Sequence, residues 1–141
     1  LDTMPQNNYS IDIENSIHEI ERVQNWLNSI MDQWNIDGST SFKTELVIHE
    51  VLMNIISYAY SDNKPHNIKI CLGNSDDEVL LEFVDDGVEF NQISSVDKQE
   101  MTNLELVKIG GHGRRLIKNY THQQSYRRNN ENNVLMLSVA K

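Results

Sequence analysis

The hydrophobic period changes part-way along the chain, and this change limits the folds that the sequence can adopt. From Ile13 to Trp34, apolar residues recur at steps of three and four, which predicts an amphipathic helix that ends near Asp37-Gly38. A second, more apolar and therefore more buried helix is predicted from about Phe42 to Tyr60, with its cap within residues 39–41. The first half of the chain is thus expected to form the helical layer.

In the second half of the chain, apolar residues alternate with polar ones, which is the period of β-strands. One hairpin is predicted from residues 68–72 and 79–84 and another from residues 125–128 and 134–139, while residues 9–13 form an opening strand. Helices followed by hairpins predict an α+β fold, a two-layer sandwich in which helices cover one face of a mixed, largely antiparallel sheet. The 141 residues suffice for a single domain that spans the whole chain.

Composition argues against several classes of function. The net charge of −9 disfavours binding to nucleic acid, although seven basic residues against one acidic residue follow position 105. No apolar run approaches the roughly 20 residues that cross a bilayer, and residues 1–10 do not read as a secretory signal, so we expect a cytoplasmic protein without membrane contact. The lone Cys71 is expected to be a buried apolar residue, and the five scattered histidines predict no metal site made of protein side chains alone.

Two polar clusters interrupt the apolar pattern. Glu50 and Asn54 are four residues apart on the second predicted helix and share a face, which is either a solvent-exposed edge or a polar site. Asp85 follows a predicted strand and stands two residues before Gly87, which is typical of a turn. The same arrangement also places a carboxylate at a strand end, where it can accept hydrogen bonds from a ligand.

A third cluster is rich in glycine and precedes a short predicted helix. It runs through Gly110, Gly111, His112, Gly113 and Arg114. Glycines let backbone N–H groups approach phosphate oxygens, and the start of a helix favours an anion, although an ordinary loop has the same composition. The long polar segment before it is typical of a functional loop.

The order of these clusters resembles the ATP-binding core of the GHKL superfamily. An acid and an Asn one turn later on a helix, a strand followed by Asp-x-Gly, a long loop, and Gly-x-Gly before a helix occur in that order over about residues 45–137. Residues 133–137 (Asn-Val-Leu-Met-Leu) are similar to a further segment of these proteins. Within the superfamily the chain looks most like the anti-sigma-factor serine kinases of partner-switching systems, because it is short and carries Asp-Asp-Gly-x-x-Phe as its second motif.

The resemblance implies a role for each matching residue. Asp85 matches the carboxylate that binds the adenine amino group, and Gly87 matches the glycine that lets the backbone pass close to the base. Asn54 matches the ligand of Mg²⁺, and Glu50 matches the proposed catalytic base. The implied cofactors are therefore ATP and Mg²⁺.

The glycine-rich cluster has an implied role as well. Gly111, His112, Gly113 and Arg114 match the loop that wraps the phosphates, with residues 88–109 as its lid. Three positions depart from the common pattern of relatives: Glu89 replaces Gly or Pro, His112 replaces Leu, and Met136 stands where many members carry a Thr near the adenine.

The implied function is an ATP-dependent serine/threonine kinase that phosphorylates a small antagonist protein and sequesters a sigma factor, commonly as a homodimer. Glu50 favours this function, because histidine kinases usually lack an acid at the matching position. One alternative is a non-catalytic module whose protein binding is gated by nucleotide, which Glu89 and Met136 favour. The other is an ATPase or sensor-kinase catalytic domain cut from a longer chain.

Overall fold

The computed structural model describes residues 3–93 and 112–141. The described elements are β1 (Asn8–Glu14), a 3-10 turn (Ile17–Glu19), α1 (Ile20–Gln33), α2 (Gly38–Tyr58), β2 (Asn67–Asn74), β3 (Glu78–Asp85), α3 (His112–Tyr120), β4 (Gln123–Asn129) and β5 (Asn132–Ala140). The predicted α+β class and the predicted order of helices and hairpins are confirmed.

The five described strands form one sheet in the order β1-β2-β3-β5-β4, and each of the four pairings is antiparallel. Alternate strand residues, such as Ile70, Leu81 and Leu137, are buried in one hydrophobic core with Val51 of α2. The helices therefore cover one face of the sheet, as predicted. The sequence pattern predicted a mixed, largely antiparallel sheet, and its described part is antiparallel throughout.

The first helix begins later than its apolar stripe predicts. Ile13 belongs to β1, where it is buried, and Ile17 lies on the 3-10 turn with 57% of its surface exposed. Ser16 has an extended backbone and its hydroxyl accepts a hydrogen bond from the N–H of His18, so the chain turns before α1 starts at Ile20. The first two apolar residues of the stripe therefore do not belong to a helix.

The second helix begins earlier than predicted. Residues 39–41 lie within the first turn of α2, so the predicted cap at these positions is wrong. Asp37 has the extended backbone of a residue that precedes a helix, and its carbonyl accepts the N–H of Ser41 at 2.9 Å. Helix α2 contacts α1, α3 and β5, so it is the central helix that its composition predicts.

Two further expectations concern single features of the described chain. Cys71 is 8% exposed on β2 and forms no disulfide, as predicted for a buried apolar residue. Among residues 3–93 and 112–141, no helix has the length and apolar character needed to cross a bilayer.

Candidate functional site

Asp85, the last residue of β3, places a buried carboxylate at the end of the sheet. It is 5% exposed, and its Oδ1 accepts hydrogen bonds from the N–H of Gly87 at 2.9 Å and from Nδ2 of Asn133 at 3.0 Å. Burial raises the pKa of the Asp85 carboxyl, while these two hydrogen bonds act in the opposite direction. The contact of Asp85 with an adenine amino group stays a prediction.

Asn133 of β5 lies directly across from Asp85 in the sheet. Its Nδ2 also donates to the carbonyl of Val88 at 2.8 Å, and its Oδ1 accepts from the Tyr126 hydroxyl at 2.6 Å. The side chain is 5% exposed and joins β3, β4, β5 and the turn after β3. The sequence pattern did not single out Asn133 as a site residue. The signal that could have found it is its spacing of two from Leu135, which places both residues on the face of the sheet that the helices cover.

Met136 does not occupy the polar position that the resemblance implies for it. Leu135 and Leu137 belong to the core beneath the helices, so Met136 between them faces the other side of the sheet. The expectation that Met136 replaces a polar contact near the adenine is therefore wrong, because the residue beside Asp85 on this strand is Asn133.

Asn54 extends the buried polar set onto α2. It is 4% exposed, and its Nδ2 donates to Oε1 of Gln92 at 3.0 Å. This bond uses the amide nitrogen, so the oxygen, the atom type that Mg²⁺ prefers, is the part of Asn54 that suits a metal. Gln92 is equally buried, and no sequence motif identified it.

Glu50 lies one helical turn before Asn54 and is more exposed. About a third of its side chain is accessible to solvent, and its Oε1 is 3.9 Å from Nδ1 of His49. The spacing left open whether this face of α2 is a solvent-exposed edge or a polar site. The structure has both features, because the carboxylate of Glu50 is accessible and the amide of Asn54 is buried.

A small cavity joins Asp85 to α2. Its volume is about 10 Å³, which is room for about one water molecule. The walls are mostly apolar with a polar edge, an arrangement that suits a flat ring carrying one polar group. They come from α2, three strands and the segment after β3: Ile55, Ala59, Asp85, Phe90, Gln92, Tyr126, Asn133 and Leu135. A cavity of this size is too small for a purine while Phe90 and Gln92 keep these positions.

Gly87 packs against the end of α2. A Cβ atom at this position would lie 2.5 Å from the Cβ of Ala59 and 2.6 Å from its carbonyl oxygen. The next residue, Val88, donates its N–H to the same carbonyl at 2.9 Å. The turn after β3 therefore needs glycine for contact with the helix, and close approach to a base stays a prediction. Glu89, the fourth residue after β3, is exposed.

A second polar cluster lies on the outer side of this turn. Nε2 of His66 is 2.8 Å from Oδ2 of Asp62, Nδ1 is 3.3 Å from Oδ1 of Asp86, and the ring stacks on Tyr60 with centroids 4.2 Å apart. The hydrogen bond to Asp62, and after it the one to Asp86, raises the pKa of His66. Among the described residues, no three His, Cys, Asp or Glu side chains are arranged to hold a metal ion.

The predicted phosphate loop falls largely outside the described residues. Gly111 and residues 94–109 of the predicted lid lie there, so only residues 88–93 of that segment are described. His112, Gly113 and Arg114 form the first turn of α3, so the predicted helix is present but begins inside the cluster that was predicted to precede it. Their phosphate contacts stay a prediction.

Comparison with known proteins agrees with this arrangement. The family described as the histidine kinase-like ATPase domain matches residues 13–139. Over 115 residues, the chain is 30% identical to the serine/threonine-protein kinase BtrW of Bordetella bronchiseptica, and the match covers 80% of each chain. The family match includes α2, β3 and β5, the elements that carry Asn54, Asp85 and Asn133. The chain therefore belongs to the histidine kinase-like ATPase family.

Proposed function

We propose that the chain is an ATP-dependent protein serine/threonine kinase of the anti-sigma-factor type. The observation that supports this most is the accessible carboxylate of Glu50, one turn before the buried Asn54 on α2. Histidine kinases usually lack an acid here, so the carboxylate favours a hydroxyl group as the acceptor of the phosphate. The similarity to BtrW, which is named a serine/threonine-protein kinase, points in the same direction.

In this proposal, the buried end of the sheet binds the base of ATP. Asp85 accepts a hydrogen bond from the adenine amino group, and the segment from Gly111 to Arg114 wraps the phosphates with its backbone N–H groups. Oδ1 of Asn54 is the oxygen that would hold Mg²⁺, which when bound offsets negative charge on the phosphates.

Glu50 acts on the protein substrate rather than on the nucleotide. Its carboxylate takes the proton from a Ser or Thr hydroxyl as the hydroxyl oxygen bonds to the γ-phosphorus. The bond from that phosphorus to the β–γ bridging oxygen breaks, and ADP leaves with the electron pair. The proton then passes from Glu50 to solvent, to which its side chain has access.

The proposed protein partners come from the resemblance to the anti-sigma-factor kinases. They are a small antagonist protein that carries the target Ser or Thr, a sigma factor that the kinase sequesters, and a second copy of the chain in a homodimer. Co-purification with each candidate and measurement of the molar mass in solution test them separately from catalysis.

Glu50→Gln is expected to keep nucleotide affinity and to lose phosphoryl transfer by about 10²- to 10⁴-fold, because a positioned base contributes about that much to the rate. Transfer from labelled ATP to an antagonist protein measures the loss, and calorimetric titration with ATP measures binding. Glu45→Gln is the matched control, because Glu45 is on the same helix but lines the groove between α1 and α2. Transfer by Glu50→Gln at the parent's rate would refute the role of Glu50.

A second candidate is a non-catalytic module in which nucleotide switches a protein contact. The hydrogen bond between Asn54 and Gln92 and the small cavity favour it, because nucleotide entry has to rearrange the segment after β3. If the parent binds ATP but transfers phosphate to no antagonist protein, while ATP changes its affinity for a partner, this candidate replaces the kinase.

A further inference from the structure

Three donors converge on the side-chain oxygen of Asn133. The N–H of Phe90 at 3.2 Å, the hydroxyl of Tyr126 at 2.6 Å and Nη1 of Arg128 at 3.2 Å all donate to Oδ1. The backbone N–H and the guanidinium group can only donate, so the atom that faces them must be the amide oxygen. The chemistry of the neighbours therefore decides which way the amide of Asn133 points.

The amide nitrogen of Asn133 consequently faces two acceptors, the carbonyl of Val88 and Oδ1 of Asp85. The N–H of Gly87 donates to the same Oδ1. Both hydrogen bonds that the described residues make to the carboxylate thus end on Oδ1. Neither of these two donors uses Oδ2, and Asp85 lines the small cavity next to α2.

The same contacts oppose protonation of Asp85. Burial of the carboxyl favours its neutral form, and the hydrogen bond from Asn133 favours the charged form. The negative charge of Asp86 raises the pKa of Asp85 as burial does, and the positive charge of Arg128 lowers it, so that the pKa is raised overall. Nη1 of Arg128 also donates to the carbonyl of Gly87 at 2.8 Å. A protonated Asp85 would present an O–H donor where an ionised Asp85 presents an acceptor. The hydrogen bonds around Asp85 therefore affect whether the site pairs with a donor or an acceptor on the base.

We propose that Asn133 is the positioning residue for base selection, because its amide N–H engages Oδ1 of Asp85 and so turns the carboxyl group for Oδ2 to accept a hydrogen bond from the exocyclic amine of adenine. Guanine carries a carbonyl oxygen at the equivalent position, and two acceptors facing each other in a buried site are unfavourable. The inference rests on the proposed nucleotide binding and adds a residue to it that neither the family match nor the likeness to BtrW assigns.

The test compares the affinities for ADP and GDP of the parent chain and of Asn133→Asp, by calorimetric titration with Mg²⁺ present. The substitution keeps the shape of the side chain and replaces its N–H donor by a second carboxyl group about 3 Å from Asp85. Two such carboxyl groups share a proton, so Asp85 becomes a poorer acceptor. ADP affinity is expected to fall by about tenfold or more and GDP affinity much less, so that the preference for ADP shrinks.

The control is Asn132→Asp, the same chemical change on the neighbouring residue, which pairs with Asn129 beside the β4–β5 turn. It is expected to keep the parent's preference. If Asn133→Asp does not fold, as judged by its thermal unfolding, Tyr126→Phe decides instead. It removes one of the three donors that orient Asn133, and a loss of about two- to fivefold in preference is expected.

The outcomes separate the inference from the proposed function. A parent that binds neither nucleotide overturns the nucleotide-binding proposal and the inference with it. A parent that binds ADP but shows no preference over GDP overturns the inference alone. The inference is also overturned if folded Asn133→Asp, or Tyr126→Phe in its place, keeps the parent's preference for ADP over GDP. A residue with a merely structural role would change the affinities for ADP and GDP by the same factor and so leave that preference unchanged.

Discussion

At the scale of single residues, the buried carboxylate of Asp85 has opposite effects on folding and on binding. Because burial raises its pKa in the folded chain, the folded state takes up a proton more readily than the unfolded state. The stability that this residue contributes therefore falls as the pH rises through the ordinary range of carboxyl groups. Carboxyl groups with a raised pKa cluster at functional sites, which supports the proposed ligand contact of Asp85.

Asp85→Asn is accordingly expected to leave the melting temperature of the nucleotide-free chain unchanged or slightly higher. The rise in melting temperature that ADP and Mg²⁺ cause in the parent should be mostly lost, because the amide alters the acceptors that face the base. Thermal unfolding with and without millimolar ADP measures both effects, and Asp76→Asn, at an exposed position before β3, serves as the control. A full nucleotide-induced shift in Asp85→Asn would show that the base binds elsewhere.

At the scale of elements, the segment after β3 is held to α2 by two polar contacts. The N–H of Val88 donates to the carbonyl of Ala59 near the end of the helix, and Oε1 of Gln92 accepts from Asn54 further back along it. The first contact shapes the turn. The second anchors Gln92, which lines the small cavity beside Asp85, so we expect it to break when the segment moves to admit a base.

Gln92→Ala is expected to raise the affinity for ADP with Mg²⁺ by about two- to tenfold, because binding no longer breaks a hydrogen bond of typical net strength. Calorimetric titration measures the change. Asn91→Ala is the control, the same truncation on the neighbouring residue, whose side-chain oxygen accepts from the nearby N–H of Ile93. A fall in affinity for Gln92→Ala alone would mean that Gln92 supports the bound state instead of competing with it.

At the scale of the whole molecule, His66 joins parts of the chain that are distant in sequence. Its ring lies between Asp62, in the segment after α2, and Asp86, in the turn after β3. Its backbone N–H donates to Oδ1 of Asn15, just beyond β1, and its carbonyl accepts the N–H of the same residue. The protonation of His66 is therefore expected to affect the unfolding of the whole domain.

The pKa of His66 is raised in the folded state, so the stability from its protonated ring is fully present below the ordinary value of 6.5 and is lost as the pH rises through the folded value. His66→Gln should therefore lower the free energy of unfolding at about pH 6 more than at about pH 9. Urea unfolding of parent and variant across this range measures the difference, with His122→Gln, at an exposed position before β4, as the control. An equal loss at both pH values would contradict a charge-dependent role.

Local patterns in the sequence determined which elements form and several of the polar residues at the site. Alternation and three-four spacing depend on neighbouring residues only, so the strands, the helices and the shared face of Glu50 and Asn54 follow from them. The strand-end position of Asp85 follows in the same way. The starts of α1 and α2 were predicted less well, because apolar spacing does not show where the backbone bonds of a helix begin.

Only the tertiary structure decided which polar groups meet. Asn133 reaches Asp85 because β5 pairs with β3 in a particular register, and a shift by one residue would turn Asn133 to the other face. Gln92 meets Asn54 through the path of the segment after β3, and His66 meets Asp86 through the end of the β2–β3 ladder. These contacts join residues 20 to 48 positions apart, and they form because burying the whole sheet against α2 sets the register and order of its strands.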